Sequence, residues 1–384
     1  MQEMIEKEIL IRYGELTLKG ENKKDFIKQL RKNLELYINK NEIKMEYDRA
    51  FCKYSDSNLE SLKYIFGISS YSVVYKSSIN LADIELVVNQ IASENEFDTF
   101  AINARRHNKN YKMTSAQLNM HFGHYILSNF KNKSVNLTNP SLIFYIEIRD
   151  KFSYIFTQYI EGMGGMPTSS SGETLHLISG GIDSPVAANL LQKRGLHISF
   201  LNFITPPHTD KKTTDKINDI ISLLTRYQGS ATLFQVNYTK IMNYIGLVSN
   251  QKYKICLMRR SFYRIAQKIA NKYNIKAISN GENLAQVASQ TLESIYTISE
   301  VCNLPILRPL LSFDKNETIA IAKRIKTMDI SILKACETCE LFAPKFPITK
   351  PNRETAKALE DELVDLFKLE DEIIDNIDII KFNL

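Results

Sequence analysis

The sequence predicts an α/β protein. Its C-terminal part reads as a doubly wound parallel sheet with helices on both faces, preceded by a smaller α+β region. Three observations carry this. After residue 173, apolar runs such as TLHLIS and HISFLNF alternate with helical segments such as DSPVAANLLQKRG. That alternation is the pattern of a parallel sheet. In the first 160 residues, shorter strands and helices are mixed, with no internal repeat. Between the two lies GMGGMPTSSSGE (162–173), with the Gly and Ser content of a linker. Of 384 residues, 44% are hydrophobic and 24% charged. Those proportions exclude a mainly disordered chain and leave room for two or three domains of about 100–200 residues each.

The elements follow in order. KEILIRYG (7–14) alternates as a strand. ENKKDFIKQLRKNLELYINK (21–40) places Phe26, Leu30, Leu34 and Ile38 at helical spacing, with Lys and Arg on the other faces. YSVVYKSSI (71–79) reads as a strand and LADIELVVNQIASEN (81–95) as a helix. FAINARRHNK (100–109) begins as a strand and turns basic. TSAQLNMHFGHYILSNF (114–130) reads as a helix with Thr114 or Ser115 as its N-cap. SLIFYIEIRDKFSYIFTQYIEG (141–162) reads as two strands about a turn at Asp150–Lys151.

The net charge is +6, unevenly spread. Residues 353–384 carry ten acids and four bases, which makes an acidic, helical tail of −6 and leaves the rest at +12. Residues 101–146 contain six Lys and Arg and no acid. That is the pattern of a polyanion-binding surface, or of an ordinary solvated basic face. No apolar run approaches the roughly 18–20 residues of a membrane span. The N-terminus is charged from Glu3, unlike a secretory signal. Cys52, Cys256, Cys302, Cys336 and Cys339 form no regular disulfide framework. These features predict a cytoplasmic protein with reduced thiols and no membrane association.

Within TLHLISGGIDSPVAANLL (174–191), a strand runs into Ser179-Gly180-Gly181-Ile182-Asp183-Ser184 and a helix begins. Two glycines let the backbone approach an anion, and amides at a helix start point toward it. Asp183 is placed to hold Mg²⁺ against phosphates, and Ser179 and Ser184 to donate hydroxyls. The loop is neither GxxxxGK[ST] nor GxGxxG. SGGIDS resembles the pyrophosphate loop of ATP pyrophosphatases. FITPPHT (203–209), CLMRRSFYRIAQKIA (256–270), ISNGENLAQVASQTLESI (278–295) and PILRPLLSFDKNETIAIAKRI (305–325) follow it. Together these segments resemble the tRNA 4-thiouridine synthetases, the tRNA uridine 4-sulfurtransferases of the ThiI family, over nearly the whole chain.

The resemblance implies four segments. These are an N-terminal ferredoxin-like domain (1–60), an RNA-binding THUMP domain (61–165), a linker (166–173) and an ATP pyrophosphatase (PP-loop) domain (174–384). It implies ATP contacts at Leu177 and Ile178 through their backbone, at the loop, and at Asn202, Phe203, Arg259, Gly281 and Gln290. It assigns a catalytic lysine to Lys315. Read without the family, Arg259 is a surface ion pair, Gln290 a helix-surface amide and Lys315 an exposed loop lysine.

Cys336 and Cys339 form a CxxC in ACETCELFAPK (335–345), without the second pair that a four-thiolate zinc site needs. A thiolate near a positive site has a lowered pKa and can carry a persulfide. The resemblance, with the E-x-C spacing, gives that role to Cys339 and makes Cys336 its resolving neighbour; two buried, inert thiols are the alternative. Cys52, Cys256 and Cys302 read as core filling. Some relatives append a rhodanese-like domain, for which residues 354–384 are too few. A cysteine desulfurase, directly or through a separate rhodanese, is therefore the expected sulfur source.

Arg105, Arg106, Lys109, Lys112, Lys131 and Lys133 make up the acid-free stretch, with His107 and Tyr111 available to stack on bases. The family places uridine 8 of tRNA at the catalytic site, and a homodimer is expected by the same resemblance. The expected reaction is ATP-dependent adenylation of O4 of that uridine, then replacement by persulfide sulfur to give 4-thiouridine. A role in supplying the thiamine thiazole is part of the same implication. Two rival readings stay open: an amide-forming nucleotide ligase built on the same loop, and a non-catalytic tRNA-binding protein.

Overall fold

The computed structural model describes residues 6–287, 289–334 and 342–384. The chain divides into two compact units, Met1–Gly165 and Met166–Leu384.

Unit 1 is built on one sheet. Its strands are β1 (Lys7–Tyr13), β2 (Ile43–Met45), β3 (Arg49–Lys53), β4 (Ile68–Ser77), β5 (Thr99–Arg106), β6 (Ser134–Val135), β7 (Leu142–Ile148), β8 (Ser153–Phe156) and β9 (Ile160–Glu161). The order is β2-β3-β1-β4-β8-β7-β5-β6, with β9 also on β4. Strand β4 pairs antiparallel with β1 on one side and β8 on the other, so the sheet runs unbroken across the expected boundary at residue 60. The helices of unit 1 are α1 (Lys23–Leu34), α2 (Asp56–Ser61), α3 (Leu81–Glu94) and α4 (Ser115–Asn129). Helix α1 is shorter than the 21–40 stretch that predicted it, yet Leu30, Leu34 and Ile38 are buried as the spacing requires. Thr114 caps α4 in a reciprocal box with Gln117. Helices α3 and α4 bury Ile84, Val88, Leu118 and Phe122 against Phe100 and Phe144 of the sheet.

Unit 2 has strands β10 (Glu173–Leu177), β11 (His197–Ile204), β12 (Ser230–Asn237), β13 (Ile278–Ser279), β14 (Ile306–Leu307) and β15 (Asp378–Asn383). Its helices are α5 (Asp183–Lys193), α6 (Lys211–Thr225), α7 (Thr239–Ile245), α8 (Lys254–Lys272), α9 (Leu292–Ser299), α10 (Lys315–Arg324), α11 (Met328–Ser331), α12 (Arg353–Asp361) and α13 (Leu366–Ile374). The strand order is β14-β13-β10-β11-β12-β15. The first five strands in that order are parallel, which gives the doubly wound sheet the alternation predicts. The helical tail needs a correction. After α12 and α13, DIIKFN turns into β15 and pairs antiparallel with β12 from Ser230↔Asn383 to Gln235↔Asp378. A bare β12 would offer a row of unpaired backbone groups, and the last strand covers them.

The tail's acids find their partners on α8, whose Arg260, Arg264, Lys268 and Lys272 repeat every four residues along one face. Arg260 pairs with Glu360 and Glu300, and Arg264 with Glu360 and Glu370. Lys268 pairs with Asp371. Glu370 is fully buried and receives Arg264 at 2.7 and 2.8 Å. Removing one partner of such a pair strands the other charge in a low dielectric. Glu370→Ala is therefore expected to lower the stability of unit 2 by about 3–5 kcal/mol in urea unfolding. Asp371→Ala, at the exposed Lys268 pair, is expected to change it by about 1 kcal/mol or less. Equal effects would contradict this ranking.

Candidate functional site

Strand β10 is the switch point of the unit 2 sheet, with β11 on one side and β13 on the other. Successive connections diverge there, so a crevice opens beyond the carboxyl ends of the strands. The SGGIDS loop fills the lip of that crevice and leads into α5, whose first turn directs its positive end at the loop. The loop is braced by its own serines. Ser184 Oγ accepts from the Ser179 amide at 3.0 Å and donates to the Ser179 carbonyl at 3.1 Å.

Beneath the loop sits His176, which sequence reasoning did not single out. It is fully buried. Its Nε2 lies 2.9 Å from the Ser184 carbonyl, so this nitrogen carries the proton and donates. Nδ1 then accepts from Ser279 Oγ at 2.9 Å. One neutral ring thus ties β10 to the start of α5 and to β13. Burial pushes the His176 pKa down to about 4. Gly281, two residues beyond β13, presses on the same turn. A Cβ there would lie 2.6 Å from the Ser184 nitrogen and 2.7 Å from its Cα. Only glycine allows this approach, which is to the loop's own backbone.

These constraints shape a cavity of about 310 Å³. Leu177, Ile178, Ser179, Gly180, Gly181, Asp183, Ser184, Asn202, Phe203, Arg259, Gly281 and Gln290 all line it. The structure thus brings together the twelve positions that the sequence grouped, from four separate stretches of the chain. One wall is apolar, with Phe203 and Phe262 stacked at 3.9 Å between ring centroids. Two polar atoms in the lining, Asn202 Oδ1 and Gln290 Oε1, are buried without a hydrogen-bond partner. Orphaned acceptors beside an apolar wall suit a planar ligand that carries N–H or O–H donors. Asn202 Nδ2 donates to the Ile178 carbonyl at 3.1 Å, which fixes the amide so that Oδ1 is the free end.

The charged groups of the lining are paired, Asp183 with a lysine that lies outside it. Lys315 Nζ lies 2.8 Å from Asp183 Oδ1, and Gln286 Nε2 lies 2.9 Å from Asp183 Oδ2. Lys315 is held at the first turn of α10 by the Asp314–Glu317 capping box. Arg259 does make an ion pair, but with Glu282 in the cavity wall and not at the surface. Among the described residues no group of three or more His, Cys, Asp or Glu forms a metal site.

Cys336 and Cys339 lie outside the described residues. The described chain leading to them is tethered beside the loop. Lys216 of α6 donates to the Ser331 and Leu333 carbonyls at 2.9 and 2.8 Å, and Ser331 Oγ donates to the Gly181 carbonyl at 3.3 Å. Burial pushes the Cys52 and Cys256 thiols up to about 12 and raises that of Cys302. They stay protonated and unreactive at neutral pH.

In unit 1 the six basic residues divide into two groups. Arg105 and Arg106 end β5, with Lys109 and Lys112 just beyond, whereas Lys131 and Lys133 immediately precede β6, which pairs with the start of β5. The groups are roughly 20 Å apart along the strand. Arg105, Lys109, Lys112 and Lys131 are exposed. Arg106 instead donates to the Lys109 and Tyr111 carbonyls, and Lys133 donates to the Phe97 carbonyl while covering its ring. Tyr111 is packed on the α3–α4 core and donates to the Ile79 carbonyl at 2.9 Å. Three of the eight expected RNA contacts therefore brace unit 1 itself.

Comparison with known proteins agrees over the whole chain. The family model described as "Thiamine biosynthesis protein (ThiI)" matches residues 169–364. The models of the ThiI ferredoxin-like domain and the THUMP domain match residues 8–72 and 79–158. A probable tRNA sulfurtransferase of Metamycoplasma arthritidis is 65% identical over 374 residues, covering 97% of this chain and 98% of that one. One of Mycoplasmopsis agalactiae is 54% identical, with 97% and 98% covered. The crystal structure of a 4-thiouridine synthetase–RNA complex with bound ATP superposes with a TM-score of 0.91 at 34% identity, covering 98% of this chain and all of that one. Among the described residues no helix is long and apolar enough to cross a membrane.

Two outcomes are expected. His176 titrates near 6.5 in an unfolded chain and near about 4 in the fold, so the unfolded chain binds more protons between those values. The His176 contribution to stability is then flat above pH 6.5 and falls by about 3 kcal/mol as pH drops to 4. Comparing urea unfolding of wild type and His176→Gln across that window reads this part of the slope, which the variant lacks. Gly281→Ala should displace the loop and weaken ATP binding tenfold or more in equilibrium titration. Unchanged affinity would mean that the loop is not held by this contact.

Proposed function

The chain belongs to the ThiI family of tRNA sulfurtransferases, and on that premise we propose how its residues divide the work of ATP-dependent tRNA thiolation. The observation that carries the reading is the convergence of twelve residues on one cavity that ends in two unsatisfied acceptors. Leu177 and Ile178 contact the adenine through their backbone. Asn202 Oδ1 and Gln290 Oε1 accept from the base or the ribose. The turn from Ser179 to Ser184 and the first amides of α5 hold the phosphates. Arg259 and Lys315 stabilise the negative charge that develops on them. Asp183 is the side chain that would hold Mg²⁺ against the phosphates, where the ion would offset their charge.

The chemistry then has two parts. O4 of the target uridine, taken as uridine 8, attacks the α-phosphorus and pyrophosphate leaves. AMP is now a better leaving group at C4 than hydroxide. The terminal sulfur of a persulfide on Cys339 attacks C4 and AMP departs, leaving a Cys339–S–S–C4 link. The Cys336 thiolate attacks the Cys339 sulfur, which releases 4-thiouridine and leaves a Cys336–Cys339 disulfide for a dithiol to reduce. The tether from Lys216 through Ser331 to Gly181 supports a role for these cysteines at the loop, because it holds the described chain that precedes them beside it. A cysteine desulfurase is the proposed persulfide donor, in the cytoplasm, to a homodimer. Arg105, Lys109, Lys112 and Lys131 are the exposed cations proposed to meet tRNA phosphates. Supply of sulfur for the thiamine thiazole is proposed as a second use of the same persulfide.

The test is 4-thiouridine formation on unmodified tRNA with ATP, Mg²⁺ and limiting persulfide. Wild type should make product, and Cys339→Ser should make at least a hundredfold less while still releasing pyrophosphate. Full activity in Cys339→Ser would move the carrier to another cysteine. AMP release with no thiolated product from wild type would favour an amide-forming ligase.

A further inference from the structure

We infer that Glu282 and Arg308 are positioning residues that together set the direction and the net charge of Arg259 at the polyphosphate end of the cavity. The inference rests on the nucleotide reading of that cavity and adds to it two residues outside the expected ATP contacts. Glu282 lines the cavity yet is only 7% exposed. Its Oε1 receives Arg259. Its Oε2 receives Arg308 Nε at 2.6 Å and the Tyr263 hydroxyl at 3.1 Å. That hydroxyl accepts in turn from Asn280 Nδ2 at 2.6 Å and from Arg308 Nη2 at 3.2 Å. Tyr263 therefore uses its one donor and both lone pairs, and both carboxylate oxygens of Glu282 are taken. A carboxylate so committed is not placed to receive a ribose hydroxyl. Its office is to hold Arg259, whose other arm donates to the Ser289 carbonyl.

The charge arithmetic has a consequence of definite sign. Two guanidinium groups share one carboxylate, so this wall carries +1 toward an anionic ligand. Glu282→Gln raises it to +2 and leaves Arg259 without its clamp. Arg308→Met lowers it to zero and leaves Arg259 neutralised by Glu282. In a partly buried site, a single charge shifts the affinity for a polyphosphate severalfold. The two variants should therefore move ATP affinity in opposite directions, although both disturb the same network. A purely structural role would weaken binding in both.

The experiment uses the full-length chain. ATP affinity is read by calorimetry without tRNA, and adenylation by tRNA-dependent pyrophosphate release. Glu282→Gln should tighten ATP binding threefold or more and slow pyrophosphate release at least tenfold. Arg308→Met should weaken ATP binding threefold or more, and Arg308→Lys should restore affinity to within twofold. Shifts of the same sign in Glu282→Gln and Arg308→Met, or a wild-type rate in Glu282→Gln, would overturn the inference. If Glu282→Gln does not fold, Glu282→Asp carries the test, because it keeps the charge but shortens the clamp. Wild-type affinity with a slowed rate supports the inference, and a wild-type rate overturns it. Arg259→Ala separates the underlying reading: if it binds ATP like wild type, the assignment of Arg259 to the phosphates fails, whatever Glu282 does.

Discussion

The phosphate-loop region of unit 2 as proposed depends on one buried neutral ring. His176 donates its one N–H to the Ser184 carbonyl and accepts a hydrogen bond from the Ser279 hydroxyl. It thereby fixes the start of α5 against two neighbouring strands of a sheet whose order reverses at that point. Gly281 completes the constraint from the other side, because nothing larger than hydrogen fits between it and Ser184. A loop that receives several negative charges, as proposed for this one, must hold its amides in place before the ligand arrives, and these two contacts hold it. The ring can do so only while uncharged, since a second proton, on Nδ1, would take away the acceptor of the Ser279 hydroxyl and leave an unpaired charge in the core.

Charge is organised around α8 in the same way. One face of that helix sends Arg259 to the cavity, and another lays Arg260, Arg264 and Lys268 against the acids of the last two helices. Four acids of the C-terminal stretch, Glu360, Glu370, Asp371 and Asp375, are thus counter-charges to a single helix. Strand β15 then seals the sheet edge that the helices leave open. The tail is part of the architecture of unit 2, and the helix it anchors is the one that carries Arg259.

Much of this was legible in the sequence. Parallel strands buried on both faces read as continuous apolar runs, which is why β10 and β11 stand out. The SGGIDS loop is legible because its glycines and its place between strand and helix admit few other uses. What escaped has physical reasons too. DIIKFN alternates like a strand, but it follows two acid-rich helices and has only six residues in which to show a period. His176 was visible only as a polar residue inside an apolar strand. Glu282 lay within a stretch already noted, yet composition does not say which arginine a buried glutamate receives. Arg106, Lys133 and Tyr111 look like nucleic-acid contacts in any acid-free segment. Only the fold reveals that they cap carbonyls of their own unit.

The most direct test of the account is amide hydrogen exchange of the full-length chain with and without ATP. Slowed exchange should concentrate at residues 178–184, at 201–203 and at 280–287, the backbone around the cavity. The groove lined by Tyr244, Leu247 and Leu369 should not respond. Protection there, with none at the loop, would place the nucleotide elsewhere and contradict the central claim.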